Sequence, residues 1–271
     1  MLRNENIGFI GGGNMGEALI RGLVAASLFS ADRISVYDAA PARIEYLEKE
    51  FGIKGRQNIG ELAEVCGIIV LAVKPQVMAQ VLHTLRSHLS HKPLVISIAA
   101  GISLATLEGN LPEWTPVIRV MPNATALVQK GASALSRGKS VSDEQMQIGM
   151  VLFNAVGKAV QADEKLMDAV TGLSGSAPAY ILLVIEALID AGVLAGLPRN
   201  TARDLVVQTV IGTSTMLEMT GKHPAELKDM ITSPGGTTIH GLQILESHSV
   251  RGALIKCVEA ATRRSAELGK G

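Results

Sequence analysis

At 271 residues the chain is long enough to hold two domains and to bury a sizeable core. Apolar residues make up 47% of it but aromatics only 3%, so the core must be built from Ala, Val, Ile, Leu and Met, which suits closely packed helices. Its 25 basic and 25 acidic residues cancel to a formal net charge of zero, which argues against a strongly basic nucleic-acid binder.

The charged Arg3-Asn4-Glu5 precedes the first apolar run, a beginning unlike a signal peptide. Gly8 to Ile10 reads as a short strand, followed by glycines and a helical pattern through Ala18, Leu19, Leu23 and Val24. Ile34-Ser-Val-Tyr37 reads as the next strand, and Ala42 to Phe51 has helical spacing with Ile44, Leu47 and Phe51 on one side. Ile68-Ile-Val-Leu-Ala-Val73 is a run buried on both faces, as in a parallel sheet. Val77 to Leu89 is helical again, and Leu94 to Ile98 and Val117 to Val120 are strands. Repeated βα units imply a parallel, right-handed, doubly wound sheet.

After about Gly157 strand-like runs largely vanish. Helical stretches follow at 163–172, 176–196, 201–220, 224–231 and 238–267. The boundary falls near Val160 to Asp163, dividing the chain into residues 1–161 and 162–271. The apolar window Tyr180 to Leu197 contains Glu186 and Asp190, is broken by Gly192 and Gly196, and is stopped by Pro198, so it reads as a buried helix and not as a membrane span. A helix apolar on nearly every face must be surrounded by protein, and in a small domain a partner subunit is the natural cover. Cys66 and Cys257 lack CxxC spacing and fit a reduced cytoplasmic protein, and the histidines lack a metal-ligand spacing, so no metal is expected.

Gly11-Gly-Gly13-Asn-Met-Gly16 fits the dinucleotide fingerprint G-x-G-x-x-G in the required context, after a strand and opening a helix. The first glycine allows the tight turn, the second lets the backbone approach the pyrophosphate, the third permits close helix–strand contact, and the helix aims its free amides at the phosphates. Asp38 ends the second strand, where an acid can accept from the adenosine ribose hydroxyls and favours NADH; it is equally placed as a turn or cap residue before Ala39-Ala-Pro41. Arg43 and Arg33 are near enough in sequence to offset its charge, which keeps NADPH open. Lys74, in Ala72-Val-Lys-Pro-Gln76, lies at a strand end where ligands gather, or is a solvated lysine. The small residues of Ile98-Ala-Ala-Gly101 leave room for a flat ring. Far along the chain, Ser233-Pro-Gly-Gly-Thr-Thr-Ile-His-Gly241 is a Gly/Thr-rich turn into a helix, suited to a small carboxylate or to plain helix capping.

Four segments together resemble the pyrroline-5-carboxylate reductase family. They are Gly8-Phe-Ile-Gly-Gly-Gly-Asn-Met-Gly16, Ala72-Val-Lys-Pro75, Thr171-Gly-Leu-Ser-Gly-Ser-Ala-Pro-Ala-Tyr180, and His223-Pro-Ala-Glu-Leu-Lys-Asp229 continuing through Ser233–Leu242 to Leu245-Glu246. The last is the specific one. The resemblance implies an α/β chain with an N-terminal doubly wound Rossmann domain followed by an all-α dimerisation and substrate domain. It implies reduction of Δ1-pyrroline-5-carboxylate, a cyclic imine carboxylate, to L-proline with NADPH or NADH, by a cytoplasmic homodimer of a kind that often assembles into decamers. From the balanced charge and the broken apolar window, no nucleic-acid or membrane partner is expected.

By the same resemblance Ile10, Gly11, Gly12, Gly13, Asn14 and Met15, then Asn58, then Ala72, Val73, Lys74 and Pro75, then Ile98, Ala99 and Ala100 contact the cofactor, and Asn123 lies in a loop under the nicotinamide. Ser233, Gly236, Thr237 and Thr238 hold the substrate, with the Thr238 hydroxyl on the imine nitrogen as the catalytic group. Glu164 matches an acidic position near the substrate, and its residue type also suits a first-turn helix carboxylate. The sequence departs from the family at Asp38, where many members carry a neutral residue. Two rival readings are a β-hydroxyacid dehydrogenase, weakened because Gly172-Leu-Ser-Gly-Ser-Ala-Pro178 contains no lysine, and a non-catalytic nucleotide sensor, weakened by the intact 233–238 segment.

Overall fold

The computed structural model describes residues 5–269, so Arg3 and Asn4 lie outside the described residues. The chain divides into two compact units, one running to Ser176 and resuming at Ala260, the other Ala177–Glu259. The division therefore falls later than the expected 161/162, because a short helix and turns at 164–176 stay with the first unit and bury Met167 there.

The first unit holds an eight-stranded sheet in the order β3-β2-β1-β4-β5-β6-β7-β8. The strands are β1 (Ile7–Ile10), β2 (Ile34–Tyr37), β3 (Lys54–Gly55), β4 (Ile68–Leu71), β5 (Leu94–Ser97), β6 (Val117–Met121), β7 (Gly131–Arg137) and β8 (Gly157–Gln161). Its helices are α1 (Asn14–Ala25), α2 (Pro41–Phe51), α3 (Ile59–Val65), α4 (Met78–Arg86), α5 (Leu104–Asn110), α6 (Asp143–Asn154) and α7 (Met167–Val170). Side chains that alternate along a strand supply both faces. Ile68, Val70, Leu94 and Ile96 join one apolar cluster, whereas Ile69, Leu71 and Val95 join the other. A large side chain buried this way contributes about 1.5–3 kcal/mol.

The expected all-parallel sheet needs one correction: β7 pairs antiparallel with β6. The link 122–130 is too short to carry the chain over the sheet, whereas a parallel return takes a dozen residues or more. From β1 the chain winds outward through β2 to β3, then restarts on the other side of β1 with β4. That reversal opens a crevice at the carboxyl ends of β1 and β4, the place where open α/β sheets bind ligands.

The second unit is helical, with α8 (Ala177–Leu194), α9 (Arg199–Thr220), α10 (Pro224–Met230), α11 (Thr237–Ser247) and the start of α12 (Val250–Leu268). The helix expected over 238–267 is two helices, because Ser249 sits in the left-handed region at φ 56° and interrupts the ladder. No residue of α8 is buried, and Leu182 and Leu183 are 64% and 66% exposed. By length and composition alone Glu164–Leu194 would suffice to cross a membrane, although 3-10 and π turns interrupt its first part. Cys66 is buried and Cys257 exposed, both free thiols, and burial pushes the Cys66 thiol up to about 11.

Gly157 opens β8 at φ 150°, and a Cβ there would lie 2.0 Å from the carbonyl oxygen of Gly131 on β7. Gly157→Ala is expected to cost roughly 2–4 kcal/mol in urea unfolding, since backbone must shift on both strands. A loss under about 0.5 kcal/mol, the scale of a neutral surface change, would contradict this packing.

Candidate active site

The turn out of β1 depends on Gly11, whose φ is 102° and where a Cβ would come within 2.5 Å of the Ala72 carbonyl oxygen at the end of β4. Hydrogen bonds continue past the strands: Gly11 N–H donates to the Tyr37 carbonyl (2.8 Å), Ala72 N–H to that of Ile10 (2.8 Å), and Ile98 N–H to that of Leu71 (3.1 Å). They fix three strand-end segments side by side. Gly13 caps α1 with no side chain on the first amides, and a Cβ there would meet nothing within 4 Å. Free N–H groups at a helix start, with open space before them, fit a diphosphate.

Two cavities adjoin this turn and share Gly13, Ala72, Val73 and Lys74. One, of about 580 Å³, is also lined by Ile10, Gly11, Asp38 and Asn58. The other, of about 500 Å³, is also lined by Asn14, Met15, Pro75, Ile98, Ala99 and Ala100. The first has the place and polar rim for an adenosine, the second the small-residue wall for a flat ring. Gly12 lines neither; its N–H donates to Asp38 Oδ2 (2.7 Å) while Asp38 Oδ1 accepts from Ala40 N–H (2.9 Å). Arg43 donates through Nε to the Gly12 carbonyl and through Nη2 to Glu17. Burial works to raise the Glu17 carboxyl, but the bonds from Arg43 and Arg21 outweigh it and hold the group below the usual carboxylate range.

In the helical unit, Gly236 caps α11, again with no side-chain bond to the first amides. Thr209, Thr213, Thr215 and Thr220, inside a long helix, each donate a hydroxyl to the carbonyl four residues back at 2.8 Å. Thr237 and Thr238 open α11, where no helical carbonyl stands behind them, so their hydroxyls are available to a ligand. Thr238 is half-buried, Ser233 and Thr237 are exposed, and His240 bonds the Gly236 carbonyl through Nδ1 (2.9 Å), one turn into the helix.

The family model for pyrroline-5-carboxylate reductase dimerisation matches residues 164–268, and one for NADP oxidoreductase, coenzyme F420-dependent, matches residues 6–101. The chain is 45% identical over 269 residues to the pyrroline-5-carboxylate reductase of Methanosarcina acetivorans, covering 99% of this chain and 100% of the relative. The chain belongs to the pyrroline-5-carboxylate reductase family. A solved pyrroline-5-carboxylate reductase from Coxiella burnetii superposes with a TM-score of 0.94 at 35% identity, covering 98% of this chain and 99% of that one. The Plasmodium falciparum pyrroline carboxylate reductase, solved with NADP bound, superposes at 0.88 and 35% identity, covering 99% of this chain and 100% of that one.

Three residues that the resemblance to the pyrroline-5-carboxylate reductase family assigns to the site have side chains engaged within the fold. Asn58 lines the larger cavity but its side chain caps α3, Oδ1 accepting from Glu61 N–H (2.9 Å). Asn123 lines neither cavity. Its buried Oδ1 accepts from Thr125 Oγ1 (2.7 Å) and Ala132 N–H (2.9 Å), and Nδ2 donates to the Ser174 carbonyl (3.0 Å). The cavity wall beside it is Met121 and Pro122, from the same loop. Glu164 Oε1 accepts from Arg119 Nη1 (2.7 Å) and from Leu104 N–H at the start of α5 (3.0 Å), while its buried Oε2 has no partner among the described residues. Sequence reasoning missed Tyr37 and the α4 residues Gln80, Val81 and Thr84, which line the larger cavity; helical spacing located α4, but no motif marks its lining face.

Arg119 is 7% exposed, and Leu104 follows closely on the Ile98–Ala100 wall, so the Arg119–Glu164 pair braces that wall. A double-mutant cycle of Arg119→Met and Glu164→Gln is expected to give a coupling of roughly 1–3 kcal/mol in denaturant unfolding. Additivity within about 0.3 kcal/mol would show that the pair does not act as a unit.

Proposed function

We propose that this protein reduces Δ1-pyrroline-5-carboxylate to L-proline with NADPH or NADH, the last step of proline synthesis. The observation that carries the reading is the start of α11: uncapped amides beside two threonine hydroxyls, in a chain of this family. In the proposal residues 1–161 hold the cofactor and residues 162–271 supply substrate binding and dimerisation.

The cofactor, when bound, supplies hydride to the imine carbon. The chain's residues do the rest. The α1 amides after Gly11–Gly13 hold the diphosphate, with Asn14 and Met15 beside it. Asp38 and Asn58 face the adenosine end. Ala72–Pro75 and Ile98–Ala100 shape the slot for the ring. Ser233, Gly236 and Thr237 present donors to the substrate carboxylate, as helix starts do for anions. Thr238 Oγ1 donates to the imine nitrogen, and that bond strengthens as the nitrogen gains basicity, so it stabilises the transition state more than the ground state, while the proton that completes the amine comes from solvent. Glu164, held by Arg119 and the Leu104 amide, keeps an acidic charge near the substrate and steadies the Ile98–Ala100 wall. A metal or a side-chain nucleophile has no task in this chemistry.

The apolar surfaces of α8, α9, α11 and α12 call for cover. Ile181, Leu183 and Leu188 on α8, Leu205 and Ile211 on α9, and Ile244 and Ile255 on the last two helices are all exposed. We assign that cover to a second copy of the chain, with dimers assembling into decamers in the cytoplasm.

Thr238→Ala is expected to lower kcat/KM for the imine by roughly 10- to 1000-fold, about 1.4–4 kcal/mol, with cofactor affinity and Tm little changed. Thr238→Ser should recover part of the loss. Equal damage by Ala and Ser in folded protein, or full turnover by the Ala variant, would remove the hydroxyl from the imine and leave a carboxylate cradle only. A wild type that turned over hydroxy acids and not the imine would overturn the whole assignment.

Leu183→Asp should dissociate the dimer or unfold the chain, because an unpaired charge in a buried interface is costly. Sedimentation of the wild type as a stable monomer at micromolar concentration would contradict the dimer.

A further inference from the structure

We infer that the protein selects NADH over NADPH, with Asp38 as the residue that sets the choice. This rests on the reductase reading above and narrows its cofactor. The two cofactors differ by one phosphate on the adenosine ribose, so the question is what charge that phosphate would meet.

Asp38 ends β2 on the wall of the larger cavity. Its carboxylate is fixed by the amides of Gly12 (2.7 Å) and Ala40 (2.9 Å), one on each oxygen. A carboxylate has about four acceptor positions, so two remain for ribose hydroxyls. Beyond it lies a hollow of about 470 Å³ that shares Tyr37, Asp38 and Ala39 with the cofactor cavity and is further lined by Glu45, Glu48 and Arg56. A phosphate entering there would meet three carboxylates and one guanidinium.

Of the nearby cations, Arg43 and Arg33 are directed elsewhere and Arg56 alone lines the hollow. Arg43 is bonded to Glu17 and to the Gly12 carbonyl and packs over the Tyr46 ring at 4.9 Å. Its charge is neutralised by a carboxylate, and its fork is turned to the glycine loop. Arg33 immediately precedes β2, at the opposite end of the strand from Asp38. Arg56 donates Nε to Ser35 Oγ (3.2 Å) and is the one cation lining the hollow, outnumbered there by Asp38, Glu45 and Glu48. Recognition of the added phosphate needs a net positive setting, whereas this hollow sets three carboxylates against one guanidinium.

Isothermal titration of the full-length protein with NADH and with NADPH, without imine substrate, tests the inference through binding itself. NADH is expected to bind about 10-fold tighter or more. Asp38→Asn keeps an oxygen for the Gly12 amide while removing the charge, and should narrow the ratio by about 10-fold in protein whose thermal unfolding stays cooperative. Equal or tighter binding of NADPH by the wild type overturns the inference and leaves the reductase reading standing. So does an unchanged ratio in folded Asp38→Asn. NADPH binding to the wild type that is as tight as NADH and is lost in Arg56→Gln would assign the phosphate to Arg56 and overturn it as well. Failure to bind either dinucleotide would remove the reductase reading itself.

Discussion

The backbone of Gly11 leaves β1 at φ 102°, within contact of the Ala72 carbonyl, and the cofactor half of the molecule is arranged around that turn. The turn is possible only without a side chain. Because it is tight, α1 starts beside the strand end and its first amides face the crevice where the strand order reverses. The Gly12 amide then meets Asp38 and the Gly12 carbonyl meets Arg43, so the glycine loop is held on both its polar groups by residues following β2. A change at Asp38 therefore reaches the glycine loop as well as the cavity wall that Asp38 lines. The flanking walls follow from the same sheet: β4 and β5 run into Ala72–Pro75 and Ile98–Ala100, where Ala72, Ala99 and Ala100 are small enough to keep the slot open.

The helical unit obeys a different constraint. Its helices expose leucine, isoleucine and valine that a soluble chain does not leave to water over so wide a surface. Each large side chain covered on association contributes about 1.5–3 kcal/mol before the cost of association. Gly236 and the threonine pair that open α11 lie within this same unit. The match of the dimerisation family model to residues 164–268 agrees with that division of labour, the sheet serving one ligand and the helices the pairing.

Much of this was legible in the sequence because local pattern and tertiary role coincide. The run Ile68–Leu71 is buried on both faces and is apolar at every position. G-x-G-x-x-G stands between a strand and a helix, as its mechanism requires. What was illegible depends on partners distant in the chain. β7, Gly131-Ala-Ser-Ala-Leu-Ser-Arg137, has few β-formers and becomes a strand because β6 and β8 pair with it. β3 is two residues long and exists through β2 alone. The break at Ser249 carries no glycine or proline to announce it. The bond partners of Asn123 and Glu164 lie up to 51 and 60 residues away, so no local pattern announced that these two side chains also brace the fold.

The central claim is that the chain brings a reduced nicotinamide cofactor and a cyclic imine carboxylate together for hydride transfer. Reduced cofactor carrying deuterium at its transferable position, supplied with Δ1-pyrroline-5-carboxylate, tests it most directly, with the product read by mass spectrometry and NMR. The account predicts L-proline bearing a single deuterium on the ring carbon next to nitrogen, on the side away from the carboxylate, formed in step with cofactor oxidation. Undeuterated proline, or cofactor oxidation without proline, would contradict it.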